Sequence, residues 1–293
     1  MKARSTGRLL LLFVLACLLL LGGQGTCPRR VGLLRITFLD VGQGDAAVIE
    51  SPSGKVLVVD AGGILENEGD DEGRRVVVPF LRSQGIRRID ALLLTHPHAD
   101  HIGGALTLLQ NIPVGLLMDN GEPVDSPLAA HILTAAQARG VPYRPARRGQ
   151  VLDFGDGVRA RVLDPTAQAL QEGTNDASIV LRVEYGRTAF LLTGDAEAQE
   201  EDDLLRSGQP LACDVLKVAH HGSRTSSTPA FLAAAHPRLA VISVGTGNVY
   251  GHPDRQVIAR LQGSGARVYR TDRRGAITCF SDSLAVRVEA MRP

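Results

Sequence analysis

Seven consecutive residues concentrate the chemistry of this chain: Thr95-His96-Pro97-His98-Ala99-Asp100-His101. Four of them carry an imidazole nitrogen or a carboxylate oxygen, ligands that suit zinc and other divalent first-row ions. His96 and His98 are two apart, so in extended backbone they project the same way and can clasp one ion. The chain is expected to turn into a helix at Ile102, which sends Asp100 and His101 elsewhere and makes them available to a second ion. A lone histidine is commonly structural. Four ligand-type residues this close, followed by Gly103-Gly104, do not read as core packing. The expected cofactor is two divalent metal ions, zinc first and manganese second.

Such a loop needs rigid elements to hold it. Residues 91–95 form a short apolar strand that ends at the histidines. Residues 33–39, 46–49 and 55–59 read as three successive strands, with turns at Gly42-Gln43-Gly44 and Ser51-Pro52-Ser53-Gly54. Helical spacing marks 74–84, 102–110 and 127–139, with a strand near 114–118. In the second half, strands are expected at 158–163, 178–185, 188–192, 215–218, 239–244, 267–269, 276–280 and 285–288. Helices are expected at 196–206, 229–235 and 255–262. Bursts of strands with helices in both halves predict an α/β fold of two packed sheets with helices outside. Residues 66–72 read as a solvated acidic loop.

Composition excludes several classes. The chain has 293 residues, 44% of them apolar and 22% charged, which supports neither disorder nor a fibrous repeat. A net charge of +1 removes the simplest case for a nucleic-acid binder, a uniformly basic protein. Cys17, Cys27, Cys213 and Cys279 form no CxxC pair, so neither a disulfide framework nor a cysteine-rich zinc module is expected. Cys213 and Cys279 adjoin or lie in strands, as small buried hydrophobes.

Residues 1–8 carry Lys2, Arg4 and Arg8 and no acid, and the 13 residues from Leu9 to Leu21 are all apolar. A membrane-spanning helix needs about 20 such residues. A basic start, a short apolar centre and Gly22-Gly23-Gln24-Gly25 after it describe a secretory signal peptide cleaved after Gly25. Export to the periplasm or the exterior is expected, with a lipid anchor at Cys27 as the lesser alternative. No second apolar run of membrane length follows.

The HxHxDH spacing resembles the metallo-β-lactamase superfamily, whose members place two metals between two β-sheets in a four-layer αββα sandwich. Leu57-Val58-Val59-Asp60-Ala61-Gly62 resembles the family's first acidic motif, whose carboxylate supports the ligands from behind. Leu192-Thr193-Gly194-Asp195 resembles the motif whose aspartate bridges the metals, and Ala219-His220-His221-Gly222-Ser223 the motif that supplies the last histidine. Three longer segments narrow the resemblance to the hydrolase domain of ComEC-type competence proteins. They are Phe38-Leu39-Asp40-Val41-Gly42-Gln43-Gly44-Asp45-Ala46, the run from Asp214 to Ser223, and Asn248-Val249-Tyr250-Gly251-His252-Pro253. Those proteins also carry long membrane channels. The resemblance therefore implies a free-standing relative with residues 31–293 as its hydrolase domain, and a role in DNA uptake is not carried over with it.

Residue by residue, the resemblance gives His96 and His98 to metal one, Asp100 and His101 to metal two, and Asp195 to both. Either His220 or His221 completes metal two; the sequence does not distinguish them. Many superfamily members bring a further histidine to metal one. Here the only histidine in the matching interval is His131, on an expected helix, and the matching place reads Gly173-Thr174-Asn175-Asp176-Ala177-Ser178. Metal one is therefore expected to be ligand-poor. The implied chemistry is hydrolysis by metal-bound hydroxide with no serine or cysteine nucleophile, Asp100 orienting the attack. His252 is a candidate general acid for the leaving oxygen, or else a turn histidine that shapes the pocket. Ser223, Ser226 and Ser227 are candidates to donate to phosphate oxygens, and Ser227 also to cap the next helix.

The expected function is an exported phosphodiesterase, with DNA the substrate favoured by resemblance. The alternatives are a small-ester hydrolase (phosphorylcholine esterase-like, lactonase or thioesterase) and a non-catalytic relative that traps metal or DNA. Charge adds an independent hint: from Arg206 onward there are 12 basic residues and five acidic ones. Arg224, Arg255, Arg270, Arg273 and Arg274 fall near the expected mouth, where a basic rim suits phosphates. Aromatic residues are only 4% of the chain, so little base stacking is provided for.

Overall fold

The computed structural model describes residues 32–292, apart from 66–69, 123–125, 168 and 172–174. The segment read as a signal peptide, and Cys27 with it, lies outside the described residues. In chain order the strands are β1 (Leu34–Phe38), β2 (Ala47–Glu50), β3 (Val56–Val59), β4 (Ile64–Leu65), β5 (Asp70–Asp71), β6 (Ala91–Leu93), β7 (Leu117–Asp119), β8 (Tyr143–Pro145) and β9 (Val151–Asp153). They continue as β10 (Val158–Asp164), β11 (Val180–Tyr185), β12 (Thr188–Leu192), β13 (Val215–Lys217), β14 (Leu239–Ile242), β15 (Arg267–Arg270), β16 (Ile277–Ser281) and β17 (Val286–Ala290).

Two large sheets result. One runs β17-β16-β1-β2-β3-β6-β7-β8 and the other β15-β14-β13-β12-β11-β10-β9. Each is half antiparallel and half parallel. β1, β2 and β3 and, in the second sheet, β9 through β12 pair antiparallel with their neighbours in the chain, whereas β3-β6-β7-β8 and β12-β13-β14-β15 are parallel through crossovers. The last two strands return to the first sheet, β16 pairing with β1.

The strand period of two sorts the apolar side chains into layers. In β3, Leu57 and Val59 face the core between the sheets, while Val56 and Val58 face a second core under helices. The central core also takes Phe38, Leu181, Phe190 and Val215, contributed by both sheets. Outside the first sheet, the helices Val78–Ser83, Ala105–Asn111 and Pro127–Ala138 insert Leu81, Leu108 and Ile132. Outside the second, Ala198–Arg206, Pro229–Ala235 and Arg255–Gly263 insert Leu204, Phe231 and Leu261. Helix, sheet, sheet, helix is the αββα sandwich that the sequence predicts. Among the described residues, no helix is long and apolar enough to cross a membrane.

Three local expectations change. A helical turn begins at Ala99 rather than Ile102, so Asp100 and His101 sit within Ala99–Ile102. The acidic stretch is not all solvated loop: Asp70-Asp71 pairs with Ile64-Leu65, and Glu72 is buried. The strands β8 and β9 were not visible in the sequence.

Candidate metal centre

Every loop that carries a sequence-selected ligand leaves the carboxyl end of a parallel strand, the end at which open α/β sheets bind their ligands. Asp60 follows β3, the His96–His101 loop follows β6, Asp195 follows β12, His220-His221 follows β13, and His252 lies beyond β14. Backbone hydrogen bonds tie these loops together. Ala61 N donates to His101 O at 2.8 Å, Asp45 N to Asp100 O at 3.2 Å, and His220 N to Gly194 O at 3.2 Å. Two glycines are sterically required. A Cβ on Gly44 would lie 2.2 Å from the Asp100 carbonyl oxygen; at Gly194, φ is +49° and a Cβ would press on Ser178 and Thr95 at 3.0–3.2 Å.

The structure gathers Asp100, His101, Asp195 and His221 so that one ligand atom from each lies within 4.8 Å of the others. His101 Nε2 is 3.2 Å from Asp195 Oδ1 and 4.0 Å from Asp100 Oδ2, and His221 Nε2 is 3.2 Å from Asp100 Oδ2. A tetrahedral zinc ion with bonds of about 2.0–2.1 Å spaces its ligand atoms by about 3.3 Å. On the other side, His96 Nε2 lies 3.1 Å from His98 Nδ1 and 3.9 Å from Asp195 Oδ2. Asp195 thus presents Oδ1 to His101 and Oδ2 to His96, His220 and His221.

The two adjacent histidines are separated by backbone conformation. His220 and His221 both adopt left-handed φ values, 49° and 53°, which histidine tolerates better than most residues but at a cost. The pair turns His221 inward, its Nδ1 donating to Ser243 O at 3.0 Å and its Nε2 facing the carboxylates. His220 stays partly exposed, with Nδ1 3.0 Å from Glu197 Oε1 and Nε2 3.9 Å from Asp195 Oδ2. His252 sits behind it, ring centroids 5.8 Å apart.

Behind the ligands, Asp60 accepts from Thr95 N at 2.7 Å, Thr95 Oγ1 at 2.8 Å and His101 Nδ1 at 2.9 Å. With its Nδ1 proton directed at Asp60, a neutral His101 points a lone pair at Asp195 Oδ1. Both atoms are buried, and neither finds a hydrogen-bond partner of good geometry. A cation between them removes that repulsion, so the donor set fits a metal.

The electrostatics agree. Burial opposes the charged form of His101, yet the carboxylates of Asp195 and Asp60 outweigh it and hold its pKa well above the ordinary value. His221 is raised likewise, against burial, by Asp195 and by its hydrogen bond to Asp100. Burial also opposes ionisation of Asp195 and Asp100, but the imidazoles around them keep both carboxyls well below the usual range. Burial, with His101 beside it, lowers His96. The cluster attracts positive charge.

Sequence reasoning missed Lys217, which is buried at the end of β13 and ion-pairs with Asp45 while its Nζ donates to Gly194 O at 3.3 Å. A lysine inside the apolar run Val215-Leu216-Lys217-Val218 was the available signal. In the segment read as ligand-poor, Ser178 lies behind the His96 ring, its hydroxyl 3.5 Å from His96 Nδ1 and accepting from Asp195 N at 3.1 Å. His131 is exposed on the helix Pro127–Ala138. Asp40 pairs with Arg292 at 3.7 Å. Ser226 and Ser227 are buried, Ser226 donating to Ala196 O at 2.7 Å, so neither offers a donor to phosphate. The cap of the helix Pro229–Ala235 is Thr228, not Ser227, its Oγ1 accepting from Phe231 N.

A family model described as the metallo-beta-lactamase superfamily matches residues 39–246. The chain belongs to the metallo-β-lactamase superfamily. Within the superfamily it is 37% identical over 253 residues to ComE operon protein 3 of Bacillus subtilis, covering 83% of this chain and 32% of that protein. It is 33% identical over 292 residues to competence protein ComA of Neisseria gonorrhoeae, covering 92% of this chain and 38% of that one. The chain thus spans about a third of the length of these relatives. Among solved structures it superposes on the metallo-beta-lactamase fold protein YhfI of Bacillus subtilis with a TM-score of 0.52 at 13% identity, covering 80% of this chain and 95% of that one. That likeness concerns the fold alone.

Proposed function

We propose that this metal-dependent hydrolase uses two divalent ions to cleave phosphodiesters, with DNA as the favoured substrate. Residues 1–25 serve in this reading as a signal peptide and 31–293 as the exported hydrolase domain. The observation that carries the reading is the single carboxylate of Asp195, whose Oδ1 faces His101 and whose Oδ2 faces both His96 and His221, so that one side chain meets the His96-His98 pair and the Asp100-His101-His221 group. Relatives named for competence support a nucleic-acid substrate.

When bound, a pair of divalent ions lowers the pKa of water and neutralises charge on phosphoryl oxygens. The chain's own groups do the rest. Asp60 fixes the ring of His101. Asp100 keeps a side-chain exposure of 35% beside the buried His101 and His221, so its carboxylate can accept a hydrogen bond from an attacking water. His252 donates to the leaving oxygen. Burial, with His220 and His221 nearby, holds its pKa below the ordinary value, and an anionic substrate opposes that shift.

The test uses protein from Thr26 onward, reconstituted separately with zinc and manganese and assayed on bis(p-nitrophenyl) phosphate and on single- and double-stranded DNA. The expected result is metal-dependent cleavage of DNA, abolished by Asp195→Ala and reduced about 10²-fold or more by His252→Ala. Turnover of the small diester alone would replace DNA with a small substrate. Bound metal without turnover of any of these would overturn the phosphodiesterase reading in favour of lactones, thioesters or pure binding.

A further inference from the structure

The segment from Gly245 to Pro253 presents apolar surface at the mouth of the metal centre. Val249 is 92% exposed and Tyr250 68% exposed, in a chain with few aromatic residues. The loop beneath them is fastened. The side chain of Asn248 donates to Gly245 O at 3.0 Å and His252 O at 2.8 Å, and accepts from His252 N at 3.0 Å. The Tyr250 ring is stacked on the imidazole of His252, centroids 5.9 Å apart and planes 17° apart, and His252 in turn meets His220. An exposed ring is therefore joined through His252 and His220 to His221 of the ligand cluster, three ring contacts away.

Cations flank it. Asp254 N donates to Gly222 O at 2.9 Å, which joins this loop to the loop carrying His220 and His221. Arg224 and Arg255 each lie within two residues of that junction and are exposed, and among the described residues neither side chain has a carboxylate partner. A fastened aromatic face, on a loop joined to segments that carry exposed arginines, is the combination that binds single-stranded nucleic acid, bases stacking and phosphates pairing with arginine.

We infer that Tyr250, with Arg224 and Arg255, forms a subsite for a nucleoside adjoining the scissile phosphate of a single strand. The inference rests on the phosphodiesterase reading but is tested apart from turnover. The measurement is equilibrium binding of a fluorescein-labelled, phosphorothioate-linked single-stranded dodecamer to the zinc-loaded protein. Tyr250→Ala is expected to weaken binding about ten-fold or more, and Tyr250→Trp to restore it. An abasic strand of the same length is expected to bind wild type and Tyr250→Ala equally. Replacing Arg224 and Arg255 together by alanine is expected to reduce the slope of log affinity against log salt by about 1.4. Equal binding of the base-bearing strand by wild type and Tyr250→Ala would overturn the inference, as would an equal loss on the abasic strand. Vesicles of phosphatidylcholine bound through Tyr250, with the oligonucleotide indifferent to it, would overturn it in favour of a membrane surface. Tyr250-dependent binding of a strand that the enzyme never cleaves would leave the subsite standing and sink the hydrolytic reading. Cleavage unaffected by Tyr250→Ala would do the reverse.

Discussion

Asp60 commits both carboxylate oxygens to Thr95 and His101, and no ordinary substitute reproduces that set. In Asp60→Asn one oxygen becomes an NH₂ group facing a donor, so either Thr95 or His101 loses its partner. The His101 ring is then free to change tautomer. Zinc affinity is expected to fall about 10–100-fold, measured by competition with a chromogenic chelator. An unchanged affinity would mean that His101 is oriented by packing alone. At this scale the sequence singled out candidate ligands that are neighbours in the chain, His96, His98, Asp100 and His101, and the structure holds their ligand atoms close together. His220 and His221 could not be told apart, because their difference lies in two left-handed backbone angles and not in residue type. Lys217 escaped notice for a related reason: its partner Asp45 comes from a loop more than 170 residues away, joined only by the fold.

Glu201 shows how the elements outside the second sheet support the loop that carries the histidines. It lies on the helix Ala198–Arg206, and its carboxylate accepts from the backbone N–H groups of Ser227 and Thr228, at the start of the helix that follows His220-His221-Gly222. Burial outweighs those hydrogen bonds and pushes its pKa from 4.5 up to about 7. The folded protein therefore keeps the proton through a range where the unfolded chain has released it. Stability from this group falls as pH rises from about 4.5 to about 7 and is level above that. Glu201→Gln fixes the neutral form. Between pH 5 and pH 8 the variant is expected to gain roughly 2–3 kcal/mol on wild type, read from urea unfolding at both pH values. Asp164, raised by burial to about 6, adds a slope of the same sign to both proteins and cancels in the difference. A constant gap would show that the carboxylate is already ionised at pH 5. Elements of this kind were readable from apolar periodicity, since their faces are buried on regular spacings. The strands β8 and β9 were not, because Tyr143-Arg144-Pro145 and Val151-Leu152-Asp153 are short and largely exposed, without a buried face to impose a pattern.

At the scale of the whole molecule, the candidate metal centre is where charged groups from loops of both sheets meet. Asp60, Asp100 and His101 come from loops of the first sheet, Asp195 and His221 from loops of the second. Asp45, Asp60 and Asp195 are buried there with Lys217 as the buried lysine among them, an arrangement in which like charges repel unless further positive charge arrives. In the metal-free chain protons can relieve that repulsion, on His101 and His221, whose pKa values the carboxylates raise, and on Asp60, whose pKa burial raises. An ion that binds the folded state and not the unfolded one stabilises by mass action, about 2.7 kcal/mol at a free concentration one hundred times its Kd. For a domain of this size that is a rise in Tm of about 5–10 °C. Because ligands come from both sheets, the unfolding transition is expected to move as one and not to split. Calorimetry with zinc and then with excess EDTA checks this, with Asp195→Ala as the control in which zinc shifts nothing. A wild-type Tm indifferent to both additions would show that the ligand atoms of Asp100, His101, Asp195 and His221 hold no ion, and the hydrolytic chemistry would have to be sought elsewhere in the fold.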